Sequence, residues 1–257
     1  MKDFNIRFFL WSSRMSLKTL LKPICPFFFY QRYENRKRLR RVAGINSADK
    51  FSGKIFCIGF NKTGTTSVQQ VLSDFGYRLG SQTIAAMLLP DWYQQKYDRL
   101  IRFCRTAEAF QDIPFSLPQT YRILDNTFSH AKFILTVRDS PYQWYHSMLR
   151  FHKKIYSCAQ KRLPDENDLE GSTFPYSGYA LDIMKMVFNY PAVELYDYAY
   201  YTELYQRHNQ DVHDYFKDKP DKCIVINVAQ ADAYSKLAAF LNVQVPEDRG
   251  FPWKNKT

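Results

Sequence analysis

From residue 54 onward, short apolar runs alternate with stretches in which apolar residues recur every three or four positions. The first run, KIFCIGF (54–60), is rich in Ile and Phe and flanked by glycines, the pattern of a buried parallel strand. TTSVQQVLSDFG (65–76) then sets Val68, Val71, Leu72 and Phe75 on one helical face, with Gly76 as the stop. The pattern predicts a helix over 91–104 with Asp91 at its N-cap, a short strand over 107–112 ending before Pro114, and a helix over 117–128. AKFILTVRD (131–139) is the clearest strand in the chain. Ser140 and Pro141 open the next helix, which runs to about residue 155 with proline at its favoured first position. Residues 161–178 have the Pro, Gly and charge content of a loop. Helices are expected near 178–190 and over 193–216, a buried strand over 222–228, and a last helix over 231–242. Strands alternating with helices predict an α/β fold, a three-layer sandwich around a central parallel sheet.

Residues 1–50 break this pattern and divide the chain into an N-terminal segment and a domain over 51–257. The net charge is +11, but 12 Lys or Arg against 3 Asp or Glu lie in the first fifty residues, leaving 24 basic and 22 acidic residues in the rest. The body is nearly neutral, which argues against a nucleic-acid partner. The N-terminal segment joins the apolar clusters FFLW (8–11) and PFFFY (26–30) to the basic run QRYENRKRLRR (31–41). Rings able to insert and charges worth about 1 kcal/mol each at an acidic membrane surface suit a peripheral anchor. A solvated helix or tail that packs on the body is the alternative. No window reaches the roughly 18 uncharged apolar residues of a membrane span. Five cysteines (25, 57, 104, 158 and 223) show no metal or haem spacing and read as free thiols of a reducing compartment. The expectation is a cytoplasmic protein, with a segment suited to the inner face of a membrane.

The chemistry begins where the first strand runs into GFNKTGTTS (59–67). Ligands of open α/β sheets sit at the carboxyl ends of strands, where helix N-termini offer free N–H groups and partial positive charge to an anion. Gly59 and Gly64 let the backbone wrap such an anion; Thr65, Thr66 and Ser67 add hydroxyls and Lys62 a full charge. The nucleotide-triphosphate loop GxxxxGK[ST] has this glycine separation, but here Thr65 follows Gly64 and the lysine stands two residues before it. Metal–triphosphate chemistry wants the lysine after the glycine, together with a metal-binding carboxylate. A lysine on the loop itself suits a bridging phosphate–sulfate oxygen without a metal. The second motif, AKFILTVRDSPYQWYHS (131–147), ends a core strand with Arg138 and places Ser147 nine residues on. A guanidinium there is able to grip a phosphate bidentately while Ser147 completes its coordination.

With both motifs present the sequence resembles the sulfotransferases that use 3′-phosphoadenosine 5′-phosphosulfate (PAPS), a P-loop nucleotide-binding type of α/β fold. IGFNKTGTTS is similar to their 5′-phosphosulfate loop and FILTVRDSPYQWYHS to their 3′-phosphate motif, and softer likenesses extend the resemblance over roughly residues 54–255. The resemblance implies that Asn61, Lys62, Thr63, Gly64, Thr65, Thr66 and Ser67 hold the phosphosulfate, and that Arg138 and Ser147 hold the 3′-phosphate. Small-molecule members carry Arg-Lys-Gly near the C-terminus for that phosphate; only Arg249-Gly250 is similar here. Lys62 would stabilise charge on the leaving phosphate, and no metal is required. Asp112, on the strand after the nucleotide loop, stands where small-molecule members place their base. The five histidines (130, 146, 152, 208 and 213) are alternatives that more commonly serve surface or structural roles. The expected acceptor is a hydroxyl of a carbohydrate, glycolipid or small molecule. Tyrosines 196, 198, 200, 201 and 205 are able to line its site, though rings at such spacing usually pack in a core. A P-loop kinase or nucleotide hydrolase, and a non-catalytic nucleotide-binding module, are the competing functions.

Overall fold

The computed structural model describes residues 53–157, 162–245 and 250–252. The N-terminal segment with its basic run, Cys25, Cys158 and Arg249 all lie outside the described residues. Among the described residues four parallel strands form the sheet: β1 (Ile55–Cys57), β2 (Ala109–Phe110), β3 (Lys132–Thr136) and β4 (Cys223–Ile226), in the order β2-β1-β3-β4. Ten helices are described: α1 (Thr65–Asp74), α2 (Gln82–Ala86), α3 (Leu89–Tyr93), α4 (Asp98–Cys104), α5 (Thr120–Thr127), α6 (Pro141–Tyr156), α7 (Glu166–Glu170), α8 (Tyr179–Met186), α9 (Tyr198–Phe216) and α10 (Ala233–Phe240).

Alternation along the strands builds two of the three cores. Phe56 and Ile58 of the β1 run, with Phe133 and Leu135 of β3, face Leu100, Phe103, Tyr121, Leu124, Val212 and Phe216 from α4, α5 and α9. Ile55, Cys57 and Ile134 face the other way, onto Val68, Val71 and Leu72 of α1 and Tyr234 and Leu237 of α10. Side chains of period two therefore feed both helical layers, which is the three-layer arrangement. The third core lies beside the sheet, where Trp144 and Met148 of α6 meet Leu169, Met184, Tyr201 and Tyr205.

Several elements depart from the sequence pattern. Residues 82–104 form three short helices instead of one beginning at Asp91. Gln95, at φ 56, interrupts the turn, and Asp91 lies inside α3, where its carboxylate is bound by Arg99. The 161–178 stretch contains α7, opened by a capping box between Asp165 and Asp168. The helix expected from 193 starts at Tyr198, where Asp197 accepts the Tyr200 N–H at 2.7 Å. Finally, β4 is an edge strand with Val225 half exposed, not a buried one. Cys57, Cys104 and Cys223 are free thiols.

His208 ties the long α9 to the exit of β1. Its Nε2 lies 2.9 Å from the Ile58 carbonyl and its ring meets Phe60 edge-on at 4.8 Å. A carbonyl only accepts, so Nε2 carries the proton and Nδ1, buried without a partner, is bare. Burial holds its pKa down to about 4. The unfolded chain takes up this proton below about pH 6.5, whereas the folded one does so only near 4, so stability is lost as pH falls between those values. Linkage puts the loss from pH 7 to pH 5 at about 2 kcal/mol. Urea unfolding at both pH values should show His208→Gln, which retains a donor for Ile58, losing about 2 kcal/mol less than wild type. Equal losses would remove His208 as the acid-sensitive group.

Candidate active site

The loop after β1 is shaped by two close approaches. A Cβ on Gly59 would meet Thr136 backbone and side-chain atoms within 2.2–2.6 Å, so only glycine lets the chain leave β1 flush against β3. Gly64 has φ +104, and a Cβ there would meet Val228 at 2.4 Å. Between them, Thr63 points inward: its hydroxyl donates to the Phe60 carbonyl at 2.5 Å and bonds Thr136 Oγ1 at 2.5 Å. It pegs the loop to the sheet and has no hydroxyl to spare for a ligand. Beyond Gly64 the first turn of α1 holds no acidic residue, and its N-cap makes no side-chain hydrogen bond. That helix N-terminus is therefore open to an anion. Thr66 is exposed there and Thr65 buried, while Ser67 donates to the Pro252 carbonyl at 3.0 Å.

Arg138, two residues past β3, reaches this loop directly. Its Nε donates to the Lys62 carbonyl at 2.7 Å, and its backbone N–H donates to the Tyr205 hydroxyl at 3.0 Å. Tyr205 stacks on Trp144 at 4.6 Å with the rings 5° from parallel, and Trp144 Nε1 donates to the Asn61 carbonyl at 2.9 Å. Loop, strand end, α6 and α9 thus close into one braced ring. Asp139 is held by Asn227 and Gln143, which leaves the remaining guanidinium nitrogens of Arg138 to a ligand. Ser147 lies on α6 one turn after Trp144, 2% exposed, with an Oγ that has no hydrogen-bond partner. A buried hydroxyl left unpaired costs about 1–3 kcal/mol, which a bound group would recover.

On the other side of Lys62 opens a cavity of about 560 Å³. Asn61, Lys62, Gln82, Asp112, His152 and Tyr156 are among the polar residues that line it, amid Ile113, Leu117, Met148, Phe151, Ile183 and Val187. The Lys62 ammonium sits 3.7 Å from the centre of the Phe151 ring. Burial, aided by the charges of Arg138 and Lys154 and opposed by Asp112, holds its pKa down to about 8. Asp112 accepts the Ile113 N–H at 2.8 Å and hydrogen bonds from Gln82 and Asn61. Burial raises its pKa despite those bonds and the nearby Lys62 charge. Both Lys62 and Asp112 have positive φ, at 74 and 69, a cost of order 1 kcal/mol or more each that marks where the backbone is held to aim a side chain. His152 bonds the Tyr196 hydroxyl through Nδ1 at 3.2 Å, and burial holds its pKa down to about 3, so the ring is neutral.

The family model for the sulfotransferase domain matches residues 54–257. The chain belongs to the sulfotransferase family. No curated protein matches it significantly. The α/β sandwich of this sulfotransferase brings Asn61, Lys62 and Asp112 together at one cavity and Arg138 against the same loop. Of the tyrosine cluster, none lines the cavity: Tyr196 supports His152 and Tyr205 supports Arg138. The rings of the wall come instead from Phe60, from α6 and from residues 174–188. Sequence reasoning singled out neither Gln82 nor Phe151, and treated His152 as structural. The signal for Phe151 and His152 was the spacing 144, 148, 151, 152 and 155 on α6, a helical stripe continuing from Trp144. Among the described residues no three His, Cys, Asp or Glu side chains converge as a metal site, and no helix is long and apolar enough to cross a membrane.

Proposed function

We propose that this protein transfers the sulfuryl group of PAPS to an acceptor hydroxyl. The observation that carries the proposal is the 2.7 Å bond from Arg138 Nε to the Lys62 carbonyl, which sets the two anion-binding motifs side by side at the ends of β1 and β3. These strands are adjacent and β2 lies on the far side of β1, so the chain reverses direction across the sheet there, as at nucleotide crevices generally. The backbone N–H groups at Thr65 and Thr66 and the Lys62 ammonium would hold the phosphosulfate. Arg138 and Ser147, whose buried Oγ lacks a partner, would hold the 3′-phosphate. Arg249 is a further candidate for that phosphate.

The donor supplies an electrophilic sulfur on a phosphate leaving group. Asp112 takes the acceptor's proton as the acceptor oxygen bonds sulfur. Lys62 sets positive charge beside the phosphate oxygen that keeps the electron pair of the broken S–O bond. Of the acceptor classes expected from the sequence, the mostly apolar wall favours one with a hydrocarbon part over a free carbohydrate. The reading of the basic N-terminal segment as a contact for an acidic membrane surface, on the cytoplasmic side, is part of the same proposal and agrees with such an acceptor.

Calorimetry tests the donor. Adenosine 3′,5′-bisphosphate should bind without magnesium and more tightly than adenosine 5′-monophosphate, which lacks the 3′-phosphate. Arg138→Ala should weaken the bisphosphate by about 10- to 100-fold more than it weakens the monophosphate, the value of a charged hydrogen bond, since loss of the bond to the Lys62 carbonyl touches both ligands alike. Selective binding of Mg–ATP, with no effect of the 3′-phosphate, would point to a P-loop kinase or hydrolase instead. Tight bisphosphate binding with no sulfate transfer to any acceptor would leave a binding module.

A further inference from the structure

Resting on the sulfotransfer reading, we infer that the cavity beside Lys62 takes an uncharged, mainly hydrocarbon acceptor that carries its own single hydroxyl, a phenol or lipid-like alcohol, and not a sugar. At about 560 Å³ the cavity has the size of a small-molecule site. What decides its chemistry is how much of its wall is hydrocarbon, with Ile113, Leu117, Met148, Phe151, Ile183 and Val187 facing it, while part of its polar complement is already engaged. Asn61 Oδ1 already accepts from Ser116 Oγ at 3.1 Å. Gln82 and the Ile113 N–H each take one lone pair of Asp112 and leave others for the acceptor, and Tyr196 takes Nδ1 of His152. Near the other wall, Asp168 accepts from Arg162 at 2.6 Å and from the Asp165 N–H at 3.0 Å, while Ser172 Oγ accepts the Ala180 N–H at 3.0 Å.

A sugar ring would bring several hydroxyls against a mostly apolar wall, and each one left there without a partner costs roughly tenfold or more in affinity. One hydroxyl, by contrast, finds Asp112 and Lys62 at a single end of the space, where the transfer takes place. Tyr156 and Tyr179 add ring faces; burial pushes the first hydroxyl up to about 12 and the second well above its usual range, so both stay neutral. Among the described residues of the wall Lys62 is the one cation, and the donor takes it, so a carboxylated or phosphorylated acceptor would find no charge partner. Two lining residues, Phe174 at 69% and Ile155 at 51%, are well exposed and mark an apolar rim. A body longer than the cavity would leave past them.

The test pairs labelled PAPS with phenol, 4-ethylphenol, 4-butylphenol and 4-octylphenol, and with methyl glucoside, using the full chain. Calorimetry with adenosine 3′,5′-bisphosphate runs in parallel. The expected result is a rise in kcat/KM of about fourfold per added methylene until the cavity is filled, from the transfer energy of a CH₂ group. Methyl glucoside should be at least about 100-fold poorer than the best alkylphenol, as two stranded hydroxyls would dictate. Ile183→Gln should flatten the chain-length series while bisphosphate binding persists, which also shows that the variant folds. A flat series in the wild type, better turnover of the glucoside, or bisphosphate binding with no alkylphenol sulfated would overturn the inference and leave the donor assignment standing. Absence of bisphosphate binding would instead remove the sulfotransfer reading, and the acceptor inference with it.

Discussion

Replacing Lys62 by methionine is expected to lower kcat/KM for sulfate transfer by about 10²–10³-fold, the cost of removing one preorganised donor from a site where charge develops. Methionine keeps an unbranched stem one atom shorter, with an apolar end suited to the Phe151 ring, and it leaves the backbone carbonyl that receives Arg138 in place. The loss should therefore fall on the charge and not on the loop. A second signature is independent of magnitude. With its pKa held down to about 8, Lys62 is charged below that pH and neutral above it, so wild-type kcat/KM should fall as pH rises through about 8. Bound donor, a polyanion, favours the charged ammonium, so kcat should persist to higher pH than kcat/KM. Initial rates from pH 6 to pH 10 with labelled donor measure both. A variant that retains activity within about tenfold of wild type, or that keeps the alkaline limb, would exclude Lys62 from the transfer step.

What the sequence made legible depended on how local the cause was. The strand–loop–helix over 54–76 could be read because Gly59, Gly64 and the period of Val68, Val71 and Leu72 act within a few residues of one another. The start of α6 was equally local: Ser140 Oγ accepts the Gln143 N–H at 3.1 Å and Pro141 follows it. Asp91 misleads because it is a helix-starting residue type that sits inside a helix; Pro90 in the first turn of α3 marks the break at Met87–Leu88, while the break at Gln94–Gln95 carries no proline or glycine signal. In α7 the capping box was present in the sequence, with Asp165 three residues before Asp168, but the surrounding charge hid it. An apolar run such as 222–228 does not say whether its strand will be central or at an edge, since that depends on which neighbours arrive.

The site divides in the same way. Both anion-binding motifs are contiguous in sequence, and their residues could be named from it. Their mutual placement could not, because Arg138 meets Lys62 across 76 positions and is braced by Tyr205 from 67 positions away. Thr63 shows the limit within a motif: a run of hydroxyl residues on a glycine loop suggests that all of them face the ligand, yet this one faces Thr136. The cavity was least legible. Its wall gathers side chains from the nucleotide loop, α2, the 112–117 turn, α6 and the 168–188 region, and no single stretch carries its apolar character.

Asp112→Asn separates the base assignment from its nearest rival. As the base, Asp112 contributes about 10²–10⁴-fold, so kcat should fall by that amount with bisphosphate affinity unchanged. Asparagine is the right replacement because it keeps the shape, still offers Oδ1 to the Ile113 N–H, and tolerates the positive φ of this position. An alanine would confound lost chemistry with backbone strain. The pH profile adds a check whose sign follows from the raised pKa: the carboxylate accepts a proton only when ionised, so wild-type activity should decline as pH falls through a value above the ordinary 3.8, and the residual activity of the variant should lack that limb. The rival role is positioning. Asp112 also raises the Lys62 pKa through its charge. Removing that charge moves the alkaline limb of kcat/KM below about pH 8 in either role; if positioning were its whole contribution, the acid limb would survive in Asp112→Asn. A shifted alkaline limb with an intact acid limb would therefore transfer the base role to another group, and the neutral His152 on the same cavity wall would be the next to replace.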